Sequence, residues 1–263
     1  MKKYLYIFKS EVMTSLQYIL DNIFGFIGYF IMIFIFLNLW RYIYSDPGEI
    51  INGYTMNQMI WYVIITEILW SVMSGRKFCK SIINDVRSGN IAYNINKPYN
   101  YISYCISSHL GECFIRAIVY ILLAFITGYL FLGEFPNITI SSFILVIIVG
   151  ILSLVINTLI VIFIGLFSFI IEDSSPFYWI YSKLLLVLGT IFPIEFFPER
   201  IRCVLEYSPI YVLSYGPAKL FVDFSFSNFI SILTAQIIYV LISYLLCLQI
   251  YKKGVKNLNV NGG

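Results

Sequence analysis

The feature that most constrains the fold is one long stretch without a charged side chain, residues 135–171. A membrane-spanning helix needs about 20 mostly apolar residues, and this stretch is longer than that. The chain as a whole is 60% hydrophobic and only 12% charged, with a mean hydropathy of +0.84. Such a composition is typical of integral membrane proteins rather than of domains that fold in water. We therefore predict a single all-α transmembrane domain, residues 1–263.

Six segments have the length and low charge of spanning helices, and polar residues separate them. The fourth is longer than one bilayer thickness, so it either tilts strongly or begins in the outer interface. The fifth is short. The six segments are residues 22–44, 54–75, 105–132, 138–171, 176–192 and 228–251.

The amino-terminal segment, residues 1–20, has a different pattern. Apolar residues recur in it at spacings of three and four, whereas its charged residues fall largely off that stripe. This pattern predicts an amphipathic helix that lies in the membrane interface rather than an extension of the first span. The stripe comprises Leu5, Phe8, Val12, Leu16 and Ile19.

The basic residues predict the orientation. An even number of spans puts both termini on one side, and twelve Lys and Arg residues fall on that side. The other side has four, which are Arg41, Arg200, Arg202 and Lys219. The positive-inside rule then places both termini in the cytoplasm of a cell-membrane protein.

One long polar segment, residues 76–104, lies on the predicted cytoplasmic side. Apolar residues at helical spacing fill its first half, and Ser88, Gly89 and Asn90 then interrupt the pattern. Glycine supplies the left-handed backbone that a helix end often needs. We predict two short helices that meet at this glycine. The alternative is a solvated loop, but connections of this length tend to be functional.

The second informative segment, residues 193–227, lies on the predicted outer side. Four prolines, at positions 193, 198, 209 and 217, forbid one continuous helix, although many of the residues are apolar or aromatic. A short amphipathic helix is predicted after Pro198. We expect the chain to dip back into the outer leaflet as re-entrant helices and to cover a pathway.

The order of these elements resembles the membrane subunits of type-2 ABC exporters, six-span permeases that a separate ATPase drives. The resemblance covers essentially the whole chain. Its most specific matches are R-S-G-N-I at residues 87–91 followed by N-K-P at residues 96–98, and the F-P, F-P and S-P pairs at residues 192–193, 197–198 and 208–209.

The resemblance implies a role for each of the two segments. Residues 82–91 would form the coupling helix in a groove of the ATPase, and residues 193–221 the external gate. The coupling residues expected on this basis are Ile82, Asp85, Val86, Arg87, Gly89, Asn90 and Ile91. The expected gate residues are Pro193, Phe196, Phe197, Pro198 and Pro209.

The sequence carries no nucleotide-binding motif. No G-x-x-x-x-G-K-[ST] occurs, and neither polar segment is large enough for a nucleotide domain. We therefore expect ATP and Mg²⁺ to be bound by a partner, and no cofactor by this chain. The expected partners are two ATPase subunits, a second permease, identical or related, and membrane lipid. The net charge of +3 is too balanced to suggest nucleic acid.

Glu67, His109, Glu112 and Arg116 fall inside the second and third predicted spans, where charge is costly. Glu112 and Arg116 are four residues apart, which favours a direct pair with Glu67 as a candidate third member. A structural pair and a role in substrate passage both remain open. A metal site on Cys105, His109 and Cys113 is disfavoured because three ligands along one helix spread over about 12 Å.

The function predicted from these observations is ATP-driven export of a hydrophobic or amphipathic compound, such as a drug, an antibiotic peptide or a lipid-like molecule. Two other classes stay open. One is a membrane-embedded lipid-modifying enzyme, for which His109 and Glu112 are the only candidate pair. The other is an immunity or sensor protein that does not transport.

Overall fold

The computed structural model describes residues 2–18, 23–46, 48–133, 136 and 138–257, and within them the chain is almost entirely helical. The helices of these residues are α1 (Lys2–Gln17), α2 (Ile23–Ile43), α3 (Met56–Val72), α4 (Arg76–Arg87), α5 (Asn90–Ile95), α6 (Tyr101–Leu132), α7 (Ile140–Leu166), α8 (Ser175–Leu185), α9 (Glu199–Glu206), α10 (Gly216–Val222) and α11 (Phe226–Asn257).

The all-α membrane architecture is confirmed. Within the described residues, four helices are long and apolar enough to cross a bilayer: α2, α6, α7 and α11. The second and fifth predicted spans fall on α3 and α8, which have 17 and 11 residues. Both are shorter than about 20 residues. The number of six crossings therefore stays a prediction.

The chain departs from α-helical geometry in the region of the fifth predicted span. After α8 it widens into a π-helical segment, Leu186–Ile191, and a second π-helical segment, Tyr211–Tyr215, precedes α10. Short 3₁₀ turns lie at Phe167–Phe169 and Ile194–Phe196. Even an uninterrupted α-helix from residue 175 to 191 would be only about 25 Å long. π-helical turns of this kind are frequent at functional sites.

A small β-hairpin connects α2 to α3, where no strand was predicted. Strand β1 (Ile50–Ile51) pairs antiparallel with β2 (Tyr54–Thr55). Asn52 and Gly53 between them have φ angles of 50° and 85°. Positive φ at both central residues defines the tight hairpin turn for which Asn-Gly is preferred. The dipeptide was the sequence signal for this hairpin.

Helix α1 packs along the first half of α6. The backbone carbonyl of Phe8 approaches Gly111 so closely that a Cβ there would lie 2.7 Å from its oxygen. Ser108 donates a hydrogen bond to Glu11 at 3.0 Å, and the rings of Phe8 and Phe114 meet edge to face. Helix α1 is thus a helix separate from the first predicted span, and its contacts with α6 hold it against the bundle. Of its predicted apolar stripe, Leu5 and Leu16 are exposed, and Ile19 lies outside the described residues.

The bundle has two ends, which we name after the short helices that lie there. At the α4 end, Tyr101 in the first turn of α6 stacks on Tyr251 near the end of α11. Phe169 lies against Gly254 at the same end. The first turn of α1 also lies here, because the backbone amide of Asn100 donates to the Tyr4 hydroxyl.

The α9 end contains the end of α2, the β-hairpin and the proline-rich segment. Tyr44 donates a hydrogen bond to the carbonyl of Tyr54 at 2.8 Å, and Tyr54 in turn donates to Glu195. Arg41 of α2 donates to the carbonyl of Phe131 near the end of α6. The two polar segments singled out in the sequence therefore lie at opposite ends of the bundle.

Candidate functional site

The first predicted site residues form a corner between α4 and α5. Helix α4 ends at Arg87, and Gly89 has a φ angle of 75° in the left-handed region before α5 begins at Asn90. A Cβ at Gly89 would meet no atom within 4 Å, so the backbone conformation, rather than space, requires glycine there. We refer to residues 76–95 as the α4–α5 corner.

Two of the predicted coupling residues point into the membrane domain. Ile82 and Ile91 are 1% and 0% exposed. They belong to one apolar cluster with Cys105 of α6, Leu159 of α7 and Cys247 of α11. These two side chains therefore anchor the corner to three long helices and are not available to a partner protein.

Helix α4 approaches α7 closely at Gly165. A Cβ at that position would lie 2.8 Å from Cβ of Ile82, closer than real Cβ contacts allow. The absence of a side chain at Gly165 lets the β-branched Ile82 lie directly on the α7 backbone. A displacement of α4 would consequently also displace α7.

Asp85 ties the corner to the start of α6. Its Oδ2 atom accepts a hydrogen bond from the Tyr101 hydroxyl at 2.9 Å, and the Asn94 side-chain amide of α5 lies 3.5 Å from the same oxygen. Tyr101 stacks nearly parallel on Tyr251 of α11, with ring centroids 5.8 Å apart. One carboxylate therefore joins α4, α5 and α6, and the stacked rings extend the connection to α11.

The remaining predicted coupling residues lie on the outside of the corner. Arg87, Gly89 and Asn90 are exposed, whereas Asp85 and Val86 are partly buried. Further polar residues on α4 are exposed next to them, namely Lys77, Lys80, Ser81 and Asn84. The corner thus has an apolar inner side held by the bundle and a polar outer side.

The predicted gate residues lie in an aromatic cluster at the α9 end. The ring of Trp40 contacts Phe196 and Phe192 at centroid distances of 5.4 and 6.1 Å, and Phe192 also contacts Phe197. Pro193 is buried at the turn that follows the first π-helical segment. These residues close the bundle around the end of α2.

The two other gate prolines lie at the edges of this region. Pro198 is exposed and immediately precedes α9, and Pro209 is partly buried just before the second π-helical segment. Each proline stands at the start of a helical segment, where the missing N–H removes no backbone hydrogen bond.

Sequence reasoning missed Glu195, which is central to the α9 end. Its Oε1 atom accepts hydrogen bonds from the hydroxyls of Tyr54 and Tyr215 at 3.1 and 2.5 Å. The ammonium group of Lys219 lies over the Tyr54 ring, 4.4 Å from its centroid, and pairs with Asp223 at 3.0 Å. The signal in the sequence was a single acidic residue enclosed by apolar and aromatic neighbours between two Phe-Pro pairs.

Uncharged polar residues inside the bundle were also missed. Thr66 of α3 donates to the Thr190 carbonyl in the first π-helical segment at 2.9 Å. Ser153 of α7 and Gln236 of α11 donate to the Val212 carbonyl in the second, at 2.9 and 3.0 Å. Irregular backbone inside a membrane needs such partners because water is absent. Thr, Ser and Gln in otherwise apolar spans were the available signal.

The structure brings Glu112 and Arg116 together. Their closest atoms are 3.4 Å apart, and Arg116 also donates to the Ser74 carbonyl at 2.7 Å. Glu67 does not join them. It is 2% exposed, and its Oε1 atom has no hydrogen-bond partner among the described residues.

His109 has partners of its own. One ring nitrogen lies 2.9 Å from the hydroxyl of Thr158 on α7, and the ring stacks on Phe78 of α4 at 4.3 Å. The residue is 1% exposed. His109 therefore joins α6 to α7 and α4 and lies close to the α4–α5 corner.

A bundle of long apolar helices, with a polar corner anchored at one end and an aromatic cluster at the other, is compatible with a membrane transport subunit. The comparison with protein families agrees, because residues 11–262 match the ABC-2 family transporter proteins. The chain belongs to this family. It is thus a permease component of an ABC transporter, a class of membrane component that is generally not catalytic itself. No curated protein matched the sequence.

Proposed function

We propose that the chain is the permease of an exporter that moves a hydrophobic or amphipathic compound across the cell membrane by alternating access, driven by a separate ATPase. The observation that carries this proposal is the two-sided α4–α5 corner. Its outer residues Arg87, Gly89 and Asn90 are free to contact another protein, and its inner residues Ile82 and Ile91 are buried among three long helices.

In this proposal the ATPase docks on the outer side of the corner and moves it when ATP binds. The movement reaches α7 through the contact of Ile82 with Gly165, and α6 through the hydrogen bond between Asp85 and Tyr101. Interdigitated side chains do not deform gradually, so a displaced α4 shifts its neighbours. ATP and Mg²⁺ are bound in the partner. Two ATPase subunits and a second permease, identical or related, complete the transporter.

The α9 end acts as the external gate. Release of cargo requires the aromatic cluster around Trp40 to separate, and the hydrogen bonds of Glu195 hold the hairpin and the second π-helical segment together until then. The backbone can bend at the two π-helical segments and at the prolines, because no regular α-helix has to be broken there.

The distribution of basic residues supports an orientation in which the α4 end faces the cytoplasm. A natural thiol tests this placement. Cys203 of α9 is exposed, whereas the four other cysteines are buried. A membrane-impermeant maleimide should label the protein in intact cells, and Cys203→Ser should abolish the labelling. Labelling that requires cell lysis would reverse the proposed orientation.

The proposal is tested by isolating the tagged chain from its native membranes. We expect an ATP-binding protein to copurify, and the reconstituted mixture to hydrolyse ATP in a vanadate-sensitive way and to carry out ATP-dependent flux. An active preparation without any ATP-binding partner would refute the proposal. ATP hydrolysis without flux of any compound would indicate the immunity or sensor alternative.

The enzyme alternative is tested separately at His109. A lipid-modifying enzyme that uses His109 and Glu112 would lose its activity in His109→Ala. The hydrogen bond to Thr158 and the stacking on Phe78 assign His109 a packing role in the permease. A His109→Gln permease, which keeps a polar partner for Thr158, should therefore retain flux.

A further inference from the structure

A cavity of about 690 Å³ lies beside the α4–α5 corner, enclosed by the end of α3, α4, α7 and α8. This volume falls in the range of small-molecule sites, about 300–1,000 Å³. The cavity begins at the α4 end, next to Arg76 and Ser175, and continues along α8 as far as Leu185. It shares Lys80 with the outer side of the corner, but Arg87, Gly89 and Asn90, where the ATPase is proposed to dock, do not line it.

One wall of the cavity is aromatic. Trp70 of α3 and Trp179 and Tyr181 of α8 line it, and Trp179 is 62% exposed. The Tyr181 hydroxyl donates to the side-chain oxygen of Asn157 at 2.8 Å, and the Asn157 amide donates to the Met73 carbonyl at 2.9 Å. Both hydrogen bonds fix the position of the Tyr181 ring. The wall is therefore a preformed apolar surface with room for an aromatic or aliphatic body.

The lining of the cavity also carries an excess of positive charge. Arg76, Lys80 and Lys183 line it, and none of them forms a salt bridge with a described residue. The acidic lining residue is Asp173. Hydrogen bonds from Ser175 lower the pKa of its carboxyl group, and the nearby charges of Arg87 and Lys80 lower it further. Asp173 thus balances Lys80 in part, and neither Arg76 nor Lys183 forms an ion pair with the part of the chain that the structure describes.

Lys183 is the most informative of these cations. It lies eight residues beyond Ser175 on α8, or about 12 Å along the helix axis. At that distance from the α4 end it lies within the fifth predicted span, where a lysine is costly and is usually paired or faces an aqueous cavity. The ammonium group of Lys183 is exposed in the cavity, and a bound anion would be its ionic partner.

We propose that this cavity binds an anionic amphiphile, a molecule with a carboxylate or phosphate head group and an apolar body, which enters from the cytoplasmic leaflet. The head group would lie between Arg76 and Lys183 and the apolar body against Trp70 and Trp179. The proposal narrows the cargo class of the proposed function and rests on that function for the direction of entry. The same chemistry would also suit an anionic lipid of the membrane itself.

The binding test uses the purified full-length chain in detergent and needs no ATP, so it stands even if the ATPase partner is absent. Three fluorescent probes share one dodecyl chain and one fluorophore and carry a carboxylate, an alcohol or an ammonium head group. We expect the carboxylate probe to bind about tenfold or more tightly than the other two, because charged hydrogen bonds are worth about one such factor each.

Two sets of variants separate the head-group and body contacts. Arg76→Gln combined with Lys183→Gln should weaken the carboxylate probe about tenfold or more and leave the alcohol probe unchanged. Trp179→Leu should weaken all three probes alike. Lys252→Gln combined with Lys253→Gln removes two exposed cations at the same end of the bundle, outside the cavity, and should change nothing. Retained binding of the alcohol probe shows that the double variant is folded.

Two further arms identify the source of the ligand. Competition by phosphatidylglycerol in nanodiscs, without transport of the probe, assigns the site to a membrane lipid. ATP-dependent flux of the carboxylate probe in the reconstituted complex assigns it to cargo. Equal binding of the three probes would overturn the proposal. The proposal would also be overturned if the Arg76 and Lys183 double variant no longer bound the ATPase but bound the carboxylate probe normally. The two cations would then contact the partner protein.

Discussion

The two ends of the bundle hold their short helices in different ways. At the α4 end, apolar side chains and one carboxylate fasten the α4–α5 corner to long helices, and its outer side stays polar and exposed. At the α9 end, a partly buried carboxylate, two tyrosines and an aromatic cluster close the segment on itself and on α2. The first arrangement suits a part that is pushed as one body, and the second suits a part that opens and closes.

The largest effect on flux is expected at Gly89. A β-branched residue in this left-handed backbone conformation costs about 1–2 kcal/mol. If the cost falls on the state docked to the ATPase, it lowers the population of that state, and with it the ATP-driven flux, about tenfold. Gly89→Val should therefore reduce flux strongly while expression stays normal, as measured by flux and ATP hydrolysis in the same vesicles.

Gly133 provides the matched control for Gly89. It has a φ angle of 68° with no atom within 4 Å of a Cβ, and it caps α6 at the α9 end. Gly133→Val carries the same backbone cost far from the corner. An equal loss of flux in both variants would mean that the cost is general and that the corner has no special part in coupling.

The largest effect on stability is expected at Glu195. Glu195→Ala removes the acceptor of two tyrosine hydroxyls, each of which costs about 1–3 kcal/mol when left buried and unpaired. The variant should unfold at a lower temperature and leak cargo without ATP, because the closed gate is weakened. Glu199→Ala removes an exposed carboxylate nearby and should change stability by no more than about 0.5 kcal/mol. Wild-type stability and no leak in Glu195→Ala would contradict the assignment of this residue to the gate.

A smaller effect is expected at Gly165, where α4 touches α7. Gly165→Ala forces Ile82 away and should cost about 1–3 kcal/mol of stability through overpacking. Gly150 of the same helix has no atom within 4 Å of a Cβ, so Gly150→Ala should be neutral or stabilising. Thermal unfolding in detergent measures both. If the two variants unfold alike, α4 does not lie on α7 as described.

The smallest effect is expected at Arg202. Its pair with Glu206 on α9 has a distance of 3.1 Å, but both side chains are exposed. Such pairs contribute about 0–1 kcal/mol. Arg202→Ala should leave unfolding temperature and flux unchanged within error. A marked loss of flux would show that the outer surface of α9 takes part in transport, beyond the gate contacts proposed here.

The sequence predicted the elements that depend on local pattern. The glycine corner at Gly89, the helix after Pro198 and the pairing of Glu112 with Arg116 each follow from spacing along a single segment. The long helices follow from apolar length alone, and the four that satisfy it are among the six predicted spans.

The sequence failed where a partner comes from a distant segment. The sequence around Glu195 does not reveal its role, because its hydrogen-bond partners Tyr54 and Tyr215 lie 141 and 20 residues away along the chain. Ile82 and Ile91 were expected to face the ATPase, because periodicity shows that a helix has an apolar face but not which protein covers it. The pattern of charges along the chain likewise could not show that Lys183 of α8 lines a cavity, since its neighbours there come from α3, α4 and α7.

The central claim is that a separate ATPase drives this chain through the α4–α5 corner. Site-specific photo-crosslinking in native membranes tests it most directly, with a photoreactive residue in place of exposed Asn90 and, as control, in place of exposed Val204 on α9. We expect the probe at Asn90 to crosslink to an ATP-binding protein and the probe at Val204 to give no such product. A crosslink to such a protein from Val204 alone, or from neither position while the transporter is active, would contradict it.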